Sequence, residues 1–97
     1  MKIGYIIASH QVMTHGKPIG YCYREKPDGP EDSGWRVFSG EESQEYADDP
    51  NNFSMYNAST VVDLEPAVSR ILGTPFPVTF ERDARSDRFV QVDEDEG

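Results

Sequence analysis

The apolar residues of this chain are mostly of a kind that packs on sheets: eight Val, five Ile, five Phe, five Tyr and one Trp stand against two Leu. Branching at Cβ and flat rings suit a pleated, half-buried surface better than a helix, so sheet should provide most of the core. At 97 residues the chain can bury roughly two-thirds of its unfolded surface, enough for one modest core and no second. One α+β domain is therefore expected over residues 1–92. The acidic tail at 93–97 is expected to be disordered, because its like charges repel and it has nothing apolar to bury.

Periodicity places the elements. Ile3 to Ser9 reads as a largely buried strand. Ile19, Tyr21 and Tyr23 alternate with Gly20, Cys22 and Arg24, the pattern of a strand with one face on the core, and the turn-like Thr14 to Pro18 suggests a hairpin between the two. Residues 26–34, rich in Pro, Gly and acids, read as a surface loop. Trp35, Val37 and Phe38 return to the core. Ser39-Gly40-Glu41-Glu42 has the form of a capping box and should open a short acidic helix from Glu41 to Ala47. Phe53 to Val62 reads as a loop leading into a strand near Ser59 to Val62. Asp63 can cap a helix in which Leu64, Val68, Ile71 and Leu72 form one stripe. Gly73 and Pro75 end it. Phe76 to Phe80 and Arg88 to Val92 complete a hairpin. The sum is an antiparallel sheet of about five strands, one amphipathic helix packed on it and a second short acidic helix.

Net charge is −9, and it is unevenly spread. Residues 25–49 carry nine acids against Lys26 and Arg36, and Asp93 to Glu96 add four more. Such a field repels phosphate backbones and anionic bilayers and speeds encounter with a basic partner, so neither nucleic acid nor membrane is expected as a partner. A solvated, solubilising charge is the plainer account. Cys22 is the only cysteine; it allows no intrachain disulfide, and a reducing cytoplasm is the expected compartment. The chain shows no secretory leader pattern and no apolar run of membrane-spanning length.

Between Gly20 and Asn52 the sequence carries joined segments: Gly20-Tyr21, Tyr23-Arg24-Glu25, Pro27, Asp32-Ser33-Gly34-Trp35, Phe38-Ser39-Gly40, Glu42, Glu45-Tyr46, Pro50 and Asn52. In these it resembles the immunity-protein-33-like family of bacterial proteins. The resemblance implies a small domain without assigned catalytic residues, and, for some members, a proposed role in neutralising toxins of polymorphic toxin systems by binding them. Together with the acidic charge, it points to a protein-binding module, with a basic protein such as a toxin as partner.

The residues themselves offer candidates. Trp35 and Tyr46 are possible aromatic anchors of a docking surface, with Glu41, Glu42 and Glu45 as its acidic face; Trp35 is equally a core plug whose indole N–H finds a loop acceptor. Asp32 and Ser33 could hold a ligand at the turn before Trp35, or simply form that turn. A small-molecule or regulatory domain would place its pocket between the Tyr21/Tyr23 strand and Asp32-Ser33-Gly34. Arg24 is expected to pair with Glu42 or Glu45. Ser33, His15 and Asp32 make a nucleophilic triad only on paper, with no nucleophile elbow. His10 and His15 lack a third ligand. Hence no catalytic residue, metal or cofactor is assigned, and Cys22 is expected to be a buried, inert thiol.

Overall fold

The computed structural model describes residues 4–83 and 85–92; the expected acidic tail lies outside the described residues. Six strands form one sheet: β1 (Tyr5–Ser9), β2 (Tyr21–Arg24), β3 (Asp32–Phe38), β4 (Phe53–Asn57), β5 (Val78–Arg82) and β6 (Phe89–Val92). Their order is β4-β1-β3-β2-β5-β6. Three helices accompany them, α1 (His10–Met13), α2 (Gln44–Ala47) and α3 (Ala58–Leu64), with 3-10 turns at Pro50–Asn52 and Pro66–Arg70. The α+β class is as the sequence predicts.

The sheet is mixed. β1 and β2 do not form the expected hairpin: β1 lies between β3, which it meets in parallel, and β4, which it meets antiparallel. The other pairs are antiparallel, and β5 and β6 form the expected hairpin. In the parallel pair Tyr5 faces Asp32 while Ile7 faces Arg36, so four steps of β3 match two of β1. This bulge is built around Gly34, whose φ of +90° is costly for any residue with a Cβ. A Cβ there would also collide with the carbonyl oxygen of Glu25.

The core lies on one face of the sheet. Ile6, Ala8, Cys22, Trp35, Val37, Val78 and Phe80 pack against Val12, Val61, Val68, Ile71 and Leu72 from the helices and turns. Trp35 is 1% exposed, and its indole N–H donates to Leu72 O at 3.1 Å. Arg24 lies 5.8 Å from the Trp35 ring and donates to the carbonyls of Ser33, Leu72 and Thr74, which fixes the turn after the helices. It does not pair with Glu42 or Glu45 as expected. In β2 it is Cys22 that faces the core, buried as expected, while Tyr21 and Tyr23 are half-buried on the other face.

The amphipathic helix starts earlier and ends sooner than the stripe predicted. α3 occupies residues expected to be a strand, and it stops at Leu64 because Glu65 precedes a proline and sits at φ −139°, ψ 84°, outside helical space. Pro66 then opens a 3-10 turn and not the first turn of a helix. Val68, Ile71 and Leu72 still reach the core; Leu64 is 49% exposed, and Val61 takes its place. Arg82 locks this break by a two-point bond to Glu65 at 2.8 and 3.0 Å.

Candidate interaction face

The second face of the sheet follows from the same alternation. Cross-strand partners share a face, so Met55, Ile7, Arg36, Tyr23 and Thr79 make one row and Phe38, Tyr21, Glu81 and Val90 another. A chain of rings crosses these rows. Tyr21 lies 5.6 Å and Tyr23 5.9 Å from Phe38, Phe38 lies 5.4 Å from Phe53, and Phe53 lies 6.1 Å from Tyr46 of α2. All five rings are half-buried, while Met55 is 65% and Val90 48% exposed. Between α2 and β4 runs a groove of about 730 Å³, lined by Tyr23, Phe38, Phe53 and Met55 on the sheet and by Ala47 and Asp48 opposite.

Arg36 lies at the centre of this face and is itself 5% exposed. The bulge at Gly34 brings Asp32 beside it, and the guanidinium grips both carboxylate oxygens at 2.9 Å each. Arg36 Nε donates to Glu25 at 2.8 Å, and Nη1 also donates to Trp35 O. Asp32 accepts further from the N–H groups of Asp28 and Gly34. The hydrogen bonds from Arg36 hold the Asp32 carboxyl well below the usual carboxylate range, and the same bonds raise Arg36. This is a closed, satisfied network.

The predicted site residues therefore separate. Trp35 is a core residue, in the plug role and not as a surface anchor. Asp32 is bound to Arg36, and the Ser33 hydroxyl donates to Tyr5 O at 2.6 Å while accepting from Trp35 N–H; both are buried, and neither lines the groove. Tyr46 lies at the end of the ring chain. Glu41 pairs with Lys17 at 2.6 Å. Glu42 reaches back to the N–H of Ser39 as the capping box predicts, and also to that of Gly40. Burial opposes its ionisation, but bonds from Ser9, Ser39 and Gly40 outweigh this and lower its pKa. The helix itself begins later, at Gln44, capped by Ser43. Glu45 stands exposed on α2, beside the groove-lining Asp48.

The concentrated acidic face expected at residues 25–49 is thus divided. Glu25, Asp28 and Asp32 converge on Arg36, Glu41 meets Lys17, and Glu45 of α2 with Asp48 at its end stands exposed next to the rings. Arg36, Phe38, Phe53 and Met55 were not singled out from the sequence as a site. The signal that could have found them is the phase of β2: Arg24 beside Cys22 and opposite the tyrosines marks the two faces. Elsewhere His10 Nε2 lies 2.8 Å from Ser54 Oγ, and His15 is exposed. Burial pushes the Cys22 thiol up to about 12, which leaves it protonated at neutral pH. Among the described residues, no cluster of three or more His, Cys, Asp or Glu is placed to hold a metal ion, and no helix is long and apolar enough to cross a membrane.

Fold and face together define a small α+β domain with its core on one side of the sheet and a floor of half-buried rings on the other. Residues 6–93 match the Immunity protein Imm33 domain, and the chain belongs to that family. No curated protein and no solved structure matches the chain.

Proposed function

We propose that this chain is a non-enzymatic binding module that neutralises a toxin in the cytoplasm by covering part of its surface. The observation that supports this is the second sheet face: five half-buried rings, with Met55 and Val90 exposed, lie on the side of the sheet opposite the core. Apolar surface of this kind, rimmed by polar groups, is the usual form of a protein-docking site. The rings supply apolar area with few rotatable bonds, and the carboxylates of Glu45 and Asp48 supply a field that steers a basic partner. Membership of the immunity family supports a toxin as the class of partner.

The groove volume also falls in the range of small-molecule sites. Against that second reading, the donors of Arg36, the one cation lining the groove, are taken up by Asp32, Glu25 and the Trp35 carbonyl. Where a neighbouring reading frame encodes a toxin, calorimetric titration against its toxin domain tests the docking face. Tyr23→Lys, which puts a charge among the rings, should weaken binding by about tenfold or more. An affinity equal to that of the parent chain would refute the face.

A further inference from the structure

Among the described residues, the strand at one edge of the sheet carries no guard. β4 has the sequence Phe-Ser-Met-Tyr-Asn, with no charge and no proline, and its register with β1 runs unbroken through five pairs. Edge strands are commonly guarded by lysine, proline or a bulge, because unpaired main-chain groups invite another strand. β4 has none of these guards. The other edge strand, β6, is four residues long and is followed at once in the sequence by Asp93 to Glu96.

The outward groups of β4 can be identified. Tyr5 N–H donates to Glu31 O on the β3 side. Backbone groups alternate along a strand, so Ile6 and Ala8 turn theirs to β4, and Phe53, Met55 and Asn57 fall in its non-hydrogen-bonded pairs. These three residues direct N–H and C=O to the open edge; the Phe53 N–H is taken by Pro50 O. Hollows flank Met55 on both sides: the groove of about 730 Å³ and a second of about 540 Å³ lined by Tyr5, Glu31, Tyr56, Asn57 and Thr60. Among the described residues each has one acid, Asp48 in the first and Glu31 in the second, and the one cation lining either is Arg36, which is held by Asp32 and Glu25.

We propose that β4 receives an extended, basic segment of the partner protein as an added strand, its main chain bonding to Met55 and its alternate side chains entering the two hollows. The proposal rests on the docking reading above and names the form of the partner at that face. Charge decides against a second copy as occupant: an antiparallel β4–β4 pair would bring a second Asp48 and a second Glu31 to the same edge, whereas lysine or arginine at alternate positions of an incoming strand would meet them.

The probe is a capped nine-residue peptide alternating arginine and valine, with a copy N-methylated at alternate amides along one edge. Binding to the whole chain is followed by NMR, with exchange protection read at the Met55 amide. The wild-type chain should gain protection at Met55, and the N-methylated peptide should bind about tenfold more weakly, the scale of one or two main-chain hydrogen bonds. Met55→Pro removes the outward N–H without touching the β1 ladder. It should bind about tenfold more weakly than Met55→Ala, which loses only the side chain. The N-methylated peptide provides the same test should Met55→Pro fail to fold. Equal binding by the proline and alanine variants and by both peptides, or no binding of the peptide, overturns strand addition. Dimerisation of the free chain abolished by Met55→Pro overturns it too, making a second copy the occupant. The toxin titration with Tyr23→Lys reads the docking face separately, so either claim can fall without the other.

Discussion

Asp32 holds four donors at once, two from Arg36 and the N–H groups of Asp28 and Gly34, and its side chain is fully buried. Removing its charge leaves the Arg36 guanidinium buried with only the exposed Glu25 and Asp28 as acids, a change of the kind that costs about 3 kcal/mol or more. Asp32→Asn should lose that much in urea unfolding at neutral pH. The acid limb carries a second signature. An unfolded aspartate takes up its proton at about pH 4, while the folded one holds out to lower pH. The unfolded chain then binds more protons on acidification, so the stabilisation present at neutral pH drains away as pH falls through that value and below. The Asn variant should show a distinctly shallower acid limb. Parallel limbs for the two chains would show that Asp32 is not the group responsible.

At the scale of elements, Arg82 joins three parts of the fold: the break at Glu65, the Ile19 carbonyl before β2, and the end of β5, with the Phe89 ring 5.0 Å from its guanidinium. Its bond lowers the Glu65 pKa. Arg82→Met, which keeps the stem and drops the charge, should cost about 2 kcal/mol in urea unfolding and raise the Glu65 titration seen by NMR; an unmoved Glu65 would contradict the link. This tie was invisible in the sequence, since Glu65 and Arg82 meet only through the course of the chain between them. What was legible was local: the α+β class, the β5–β6 hairpin, the Trp35 plug with its indole donor, and the reach of Glu42 back to Ser39. Leu64, Val68, Ile71 and Leu72 do have helical spacing, but Pro66 constrains Glu65 more strongly than the stripe favours a helix. In β2 alternation gave two faces, and the expected burial of Cys22 marks the inner one. The bulge at Gly34 was likewise hidden, because Asp32 and Arg36 meet only when β3 runs four residues against two of β1.

For the molecule as a whole, charge acts at long range and the rings at contact. Most acids of residues 25–42 are engaged within the chain, which leaves Glu45 and Asp48 as the steering pair next to the groove. Glu45→Lys with Asp48→Lys should slow association with a basic partner several-fold at low salt and flatten the salt dependence, with a smaller change in dissociation. Stopped-flow mixing across a salt series reads this, and an association rate indifferent to the reversal would count against steering by α2. Glu42 is no part of such a test, because its carboxylate holds the Ser39 and Gly40 amides and its loss would disturb the loop itself.

The placing of β1 has a consequence for how the chain is made. It precedes both strands that flank it, and the farther one ends at Asn57. With synthesis at about 5–20 residues per second, the segment Tyr5–Ser9 leaves the ribosome seconds before either neighbour exists to receive it. Until then its isoleucines are open to chaperones or to another nascent chain, so closure of this half of the sheet waits for the strand that ends at Asn57, and arrest of translation before Phe53 yields a product with no native partner on that side.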